Sequence, residues 1–187
     1  MPTVYSAPAL LLALAASHCS ADEALPARRL PALEVAVFAC SPNPSHVLVE
    51  SREGLERTLD ALAPHCPAET FRARREAFLR SLERSPVRWE EEALVVVQDW
   101  YGTGMATATL GLDSPSPGLV RATVRWEVPP PPVTPDTAVR RFAFAVRKGI
   151  VTRVEVSGHD PRAVSLDVPG GDAAPLPSPV ARNPKGT

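Results

Sequence analysis

Few residues of this chain have the type and spacing for covalent or metal chemistry. Beyond His18 the imidazoles are His46, His65 and His159, each isolated in sequence. No two lie at the four-residue spacing of a helical zinc site, and no Cys-x-x-Cys is present. His65 and Cys66 are adjacent, but a nucleophilic Cys/His pair is brought together by a fold, not by chain neighbours. His159 and Asp160 precede Pro161 and read as a turn. Glu90, Glu91 and Glu92 are consecutive, so their carboxylates cannot converge on one substrate; they read as the polar entrance of a strand. Gly102-x-Gly104 follows an apolar run, yet it lacks the third glycine, the following helix and the Lys-Ser/Thr pair of a phosphate loop. The expectation is a domain with no metal, no cofactor and no catalytic constellation.

Cysteine carries a different chemistry. Residues 9–16, ALLLALAA, have the length of a secretory h-region and fall short of the roughly 20 apolar residues that span a bilayer. Residues 1–21 therefore read as an export signal. It is cleaved after Ala21, or it ends before Cys19 if that cysteine is the lipid-carrying first residue of a lipoprotein. Either route removes Cys19 from the thiols of the mature chain and leaves Cys40 and Cys66. In an exported protein such a pair invites a disulfide, which would close a loop of about 27 residues and stabilise by roughly 3 kcal/mol. Two unpaired thiols, one of them buried, are the alternative.

The composition bounds the partners. Of 187 residues, 20 are Lys or Arg and 21 Asp or Glu, a formal net charge of −1. That balance lacks the basic excess of a nucleic-acid binder or a polybasic membrane-surface protein. The membrane enters only through a lipid on Cys19. Proline is in excess, 22 residues, and a mostly helical bundle cannot accommodate so many.

The elements follow from periodicity. Residues 22–32 read as a linker and residues 33–40 as a strand, because Leu33, Val35, Val37 and Ala39 alternate. Ser51 stands where a helix N-cap belongs, Leu55, Leu59 and Leu62 form one stripe, and Pro64 ends that helix. A second helix runs over about residues 68–84 to a stop at Pro86. From Glu92 the period changes to two. Residues 93–100 are apolar almost throughout, as in a strand buried on both faces. Residues 101–104 turn, residues 105–112 return, 113–118 are a loop, and 119–128 alternate sharply. The proline run 129–135 is an exposed crossing before the last two strands. Residues 169–187 read as a disordered tail. The sum is an α+β domain over residues 33–168, two N-terminal helices followed by an antiparallel β-meander of about five strands.

The passage Trp89-Glu90-Glu91-Glu92-Ala93-Leu94-Val95-Val96-Val97, with the Thr103-Gly104 turn and the strand after it, resembles the C-terminal domain of the protease-complex-subunit PrcB family. Ser51-x-Glu53-x-Leu55 resembles that family's short helix start. The likeness covers roughly residues 51–156, and it departs from the family where Met105 and Ala106 replace Gly-Tyr after Thr-Gly. It implies an exported, often lipid-anchored, non-catalytic domain that associates with or stabilises an extracytoplasmic protease or another envelope protein. The candidate contact is the loop Trp100, Tyr101, Gly102, Thr103, Gly104 and Met105. A rival likeness, to chagasin-like inhibitors of cysteine proteases, implies that the same loop wedges into a protease.

Overall fold

The computed structural model describes residues 25–31, 33–40, 46–159 and 162–170. The expected export signal, Cys19 and residues 171–187 of the expected tail lie outside them.

Ser51 caps helix α1 (Arg52–Leu62) by accepting the Gly54 N–H at 3.0 Å, and Leu55, Leu59 and Leu62 turn inward on one stripe. A short 3-10 turn containing Pro64 breaks the helix, and Pro67 starts helix α2 (Ala68–Arg84), which buries Phe71 and Phe78. Eight strands occur among the described residues: β1 (Ala27–Arg29), β2 (Val47–Val49), β3 (Glu92–Tyr101), β4 (Thr107–Ser116), β5 (Leu119–Glu127), β6 (Ala138–Arg147), β7 (Arg153–Ser157) and β8 (Val164–Asp167). They form two four-stranded sheets, in the orders β1-β6-β3-β2 and β4-β5-β7-β8.

This corrects the expected arrangement. The domain is α+β, but the helices are internal, two strands precede or flank them, the strands number more than five, and they do not run as a meander. β6 returns past two intervening strands to pair with β3 along its whole length, and β7 lies parallel to β5. The physical reason is the two-sided hydrophobicity of β3 and β6. Ala93, Val95 and Val97 of β3, with Phe144 and Val146 of β6, pack against Val120, Ala122, Val124, Val154 and Val156 of the second sheet. Leu94, Val96, Ala143 and Ala145 pack on the other side against Leu55, Leu59, Phe71 and Phe78. Two apolar faces require two covering layers, and a single sheet backed by helices supplies one. The molecule is layered helices, sheet, sheet.

Two local readings also change. Residues 27–29 of the expected linker are β1, an edge strand on β6. Residues 33–40 are no strand: Ala36–Cys40 is a 3-10 helix whose start is held by Glu34 accepting the Ala36 N–H at 2.9 Å. The apparent alternation misleads because Val35, Val37, Phe38 and Cys40 are all buried under the helices, with Phe38 edge-on to Phe78 at 5.5 Å. Cys40 is joined to Cys66 by a disulfide with Cα atoms 5.1 Å apart, which ties this segment to the connection between α1 and α2. Replacing both cysteines by alanine is expected to cost about 3 kcal/mol of stability in urea unfolding, by the closure entropy of that loop.

Glu92 locks the opposite margin. Its buried carboxylate accepts from Arg28 Nε and Nη2 of β1 at 2.9 and 2.8 Å, from Arg88 Nη2 at 2.9 Å, and from the Arg88 N–H at 3.0 Å. The hydrogen bonds from Arg28 and then Arg88 hold its pKa down to about 2, against the opposing cost of burial. A carboxylate depressed in this way stabilises the fold fully above its ordinary range near 4.5 and loses that contribution as pH falls towards 2. Glu92→Gln is expected to lose on the order of 2 kcal/mol at neutral pH, and its thermal midpoint should fall less steeply than that of the natural protein between pH 4.5 and 2.

Candidate functional site

The expected contact loop lies at the far end of β3 from Glu92. Side chains of β3 alternate, so Leu94, Val96, Gln98 and Trp100 face the helical layer, while Val95, Val97, Asp99 and Tyr101 face the second sheet. On the helical side the apolar cover ends at Val96 and Ala143. Next comes a polar cross-strand pair, Gln98 Oε1 accepting from Arg141 Nε at 2.5 Å, and then the exposed pair Trp100 and Val139. Trp100 is 42% exposed and Val139 36%.

On the other side the end of the sandwich is sealed by Asp99, a second buried carboxylate of β3. Its Oδ2 accepts the indole N–H of Trp126 at 2.7 Å and the backbone N–H of His159 at 2.9 Å. Gly158 permits this approach, because a Cβ there would run into the Asp99 carboxylate. The His159 ring is thereby set between two aromatics, 5.3 Å from Trp100 and 4.6 Å from Tyr101, and Tyr101 lies 5.5 Å from Trp126. Trp100 is thus supported from beneath while its outer surface meets solvent.

The turn itself is braced. Thr103 is buried, its Oγ1 accepting the Met105 N–H at 3.4 Å and its carbonyl the Ala106 N–H at 3.2 Å. The Gly104 N–H donates to Asp136 Oδ1 at 3.2 Å, and a Cβ on Gly104 would collide with that carboxylate. Hydrogen bonds from Thr134 and the Gly104 N–H hold the Asp136 carboxyl below its usual range. Met105 points outward, 45% exposed.

Of the six loop residues expected to make contact, Trp100 and Met105 present side chains to solvent; Tyr101 packs, Thr103 and Gly104 shape the turn, and Gly102 is exposed with open space around it. Sequence reasoning missed Asp99, Trp126, His159 and Val139. Asp99 left one signal, a carboxylate in the run ALVVVQDW; Trp126 and Val139 come from β5 and β6 and His159 from the bend after β7, which meet only in three dimensions. A cavity of about 250 Å³ lies beside the network, with His46, Gln98, Asp99, Ser157 and Arg162 among its lining residues. The buried His46 Nδ1 has no hydrogen-bond partner among the described residues, and burial lowers the pKa of this ring against the pull of Asp99. Among the described residues no group of three His, Cys, Asp or Glu side chains is placed to hold a metal.

The chain matches no protein-family model, no curated protein and no solved structure. The likeness to the PrcB family therefore rests on the quoted residues alone. Gly158→Ala is expected to displace the Asp99 carboxylate and cost about 2 kcal/mol in urea unfolding, as a buried acceptor loses its donors. The displaced network should also raise acrylamide quenching of tryptophan fluorescence.

Proposed function

We propose that this chain is an exported, non-catalytic protein-binding module whose contact surface is built on Trp100, Val139 and Met105. One observation supports it above others: Trp100 is left substantially exposed although an edge-on contact with His159, itself anchored by the buried Asp99 carboxylate, holds it in place. An indole held in one orientation loses little conformational freedom on binding, which is why tryptophan so often dominates the energetics of protein interfaces. Val139 lies directly across from it in the β3–β6 ladder and extends the apolar surface. Export is inferred from the apolar run of residues 9–16, and the partner is an envelope or extracellular protein, a protease by the PrcB likeness.

The test uses Trp100→Ala combined with Met105→Ala. Substitution of Thr103 or Gly104 would instead disturb the turn that these residues brace. The double variant is expected to keep the thermal midpoint within a few degrees of the natural protein, since both side chains face solvent. Recovery of partners from an envelope fraction should fall at least about tenfold, as for loss of an aromatic anchor. Unchanged recovery by the folded variant would remove this surface from the interface.

A further inference from the structure

The outer edge of β6 is covered along half its length. β1 pairs with Phe144, Ala145 and Val146, the Leu30 N–H donates to the Ala143 carbonyl at 2.9 Å, and the Arg147 N–H donates to the Pro26 carbonyl at 2.9 Å. Pro31 then turns the chain away, with the Leu33 N–H closing on the Leu30 carbonyl at 3.0 Å. β6 continues to Ala138, still paired with β3 on its inner edge. Because backbone groups alternate along a strand, the edge shown to β1 by Ala143 and Arg147 is shown further along by Arg141 and Val139. The Arg141 N–H and carbonyl and the Val139 N–H have no backbone partner on that side among the described residues.

A groove of about 340 Å³ runs beside this open edge, between the end of β1 and strand β4. Leu30, Leu110 and Phe142 give it apolar walls. Arg29 and Arg141 line it, Arg140 neighbours Arg141 along β6, and none of the three has a carboxylate partner among the described residues. Arg140 donates to the carbonyls of Val139 and Ala106, and Arg141 to Gln98, so their charge is solvated by neutral acceptors only. We propose that this half-edge is a docking site for an extended acidic peptide segment of another protein, which joins the sheet as a strand in line with β1. Backbone groups of the peptide would meet those of Val139 and Arg141. Alternate side chains of the peptide would lie on opposite faces of the sheet, apolar ones beside Leu30 and Ala143 and carboxylates beside Arg29 and Arg140. A second copy of this chain is the poorer occupant, because pairing β6 with itself would set Arg140 and Arg141 against their own copies.

This site uses the backbone edge of Val139, whereas the Trp100 surface uses its side chain, and it stands without that surface. The probe is the dye-labelled alternating peptide acetyl-Glu-Val-Glu-Val-Glu-Val-amide, measured by fluorescence anisotropy against the full chain and followed by amide hydrogen exchange. Binding is expected to weaken at least about tenfold between roughly 0.05 M and roughly 0.5 M salt, and by a similar factor in Arg29→Glu, whose side chain is exposed. The Val139 and Arg141 amides should exchange more slowly in the complex. N-methylation of one alternate set of peptide residues should abolish binding and of the other set should spare it. Trp100→Ala with Met105→Ala should bind the peptide as the natural protein does, so the two surfaces fail or succeed separately. Equal binding of the Lys/Val counterpart, unchanged exchange at both amides, or a dimer that already protects them would each overturn the proposal.

Discussion

The β3–β6 ladder, ten residues in unbroken antiparallel register, is the element on which everything else is mounted. The helices cover it on one side and the second sheet on the other. Phe144 and Val95, directly opposite one another and both fully buried, anchor the contact between sheets, while Leu94 and Ala145 anchor the contact with the helices. A one-residue slip would exchange these two sets, sending Phe144 towards a helical layer fitted to alanine. Register is therefore held by both cores at once.

β3 carries a buried carboxylate near each end, and the two are neutralised differently. Glu92 is met by guanidiniums of Arg28 and Arg88, a charge-for-charge match that fastens β1 across β6, where small Ala145 leaves the path clear. Asp99 is met at one oxygen by two uncharged donors, an indole and a backbone amide. The first arrangement ties an edge strand to the core. The second collects Trp126 from β5 and His159 from beyond β7 under Trp100 and Tyr101, so it positions side chains at the rim. The same demand, that a buried charge find donors, yields structure at one end and a supported aromatic surface at the other.

Much of this was legible where the cause is local. Ser51, Pro64 and Pro86 punctuate the two helices, and apolar runs mark the four long strands and β7. Residues 93–100, apolar on both faces, already imply a second covering layer, which a five-strand meander does not provide. The remaining strands are short and owe their form to partners: Ala27–Arg29 shows no alternation and is a strand because β6 offers it an edge. Residues 33–40 alternate like a strand, but the helices bury both of their sides. The parallel pairing of β5 and β7 has no sequence signature of its own, since the chain leaves the second sheet, crosses in β6 and re-enters. At the loop, the sequence offered residues 100–105 as contacts alike, without separating Trp100 and Met105 from the rest. The supports, Asp136, Trp126 and His159, are remote in sequence, which is why Thr103 and Gly104 resembled contact residues and are braces.

Both candidate surfaces have one geometric origin. Helices, 3-10 segment and β1 all cover β3–β6 from the Glu92 end and stop near Val96 and Ala143, whereas the ladder runs on to Tyr101 and Ala138. The uncovered stretch exposes an apolar cross-strand pair on its face and unpaired backbone on its edge. Left bare, such a stretch invites uncontrolled strand addition, and arginines along it act against pairing with identical copies. Those same arginines favour a strand of opposite charge. An edge protected from its own copies by like charge is by that fact selective for an acidic one, so protection and recognition need no separate residues.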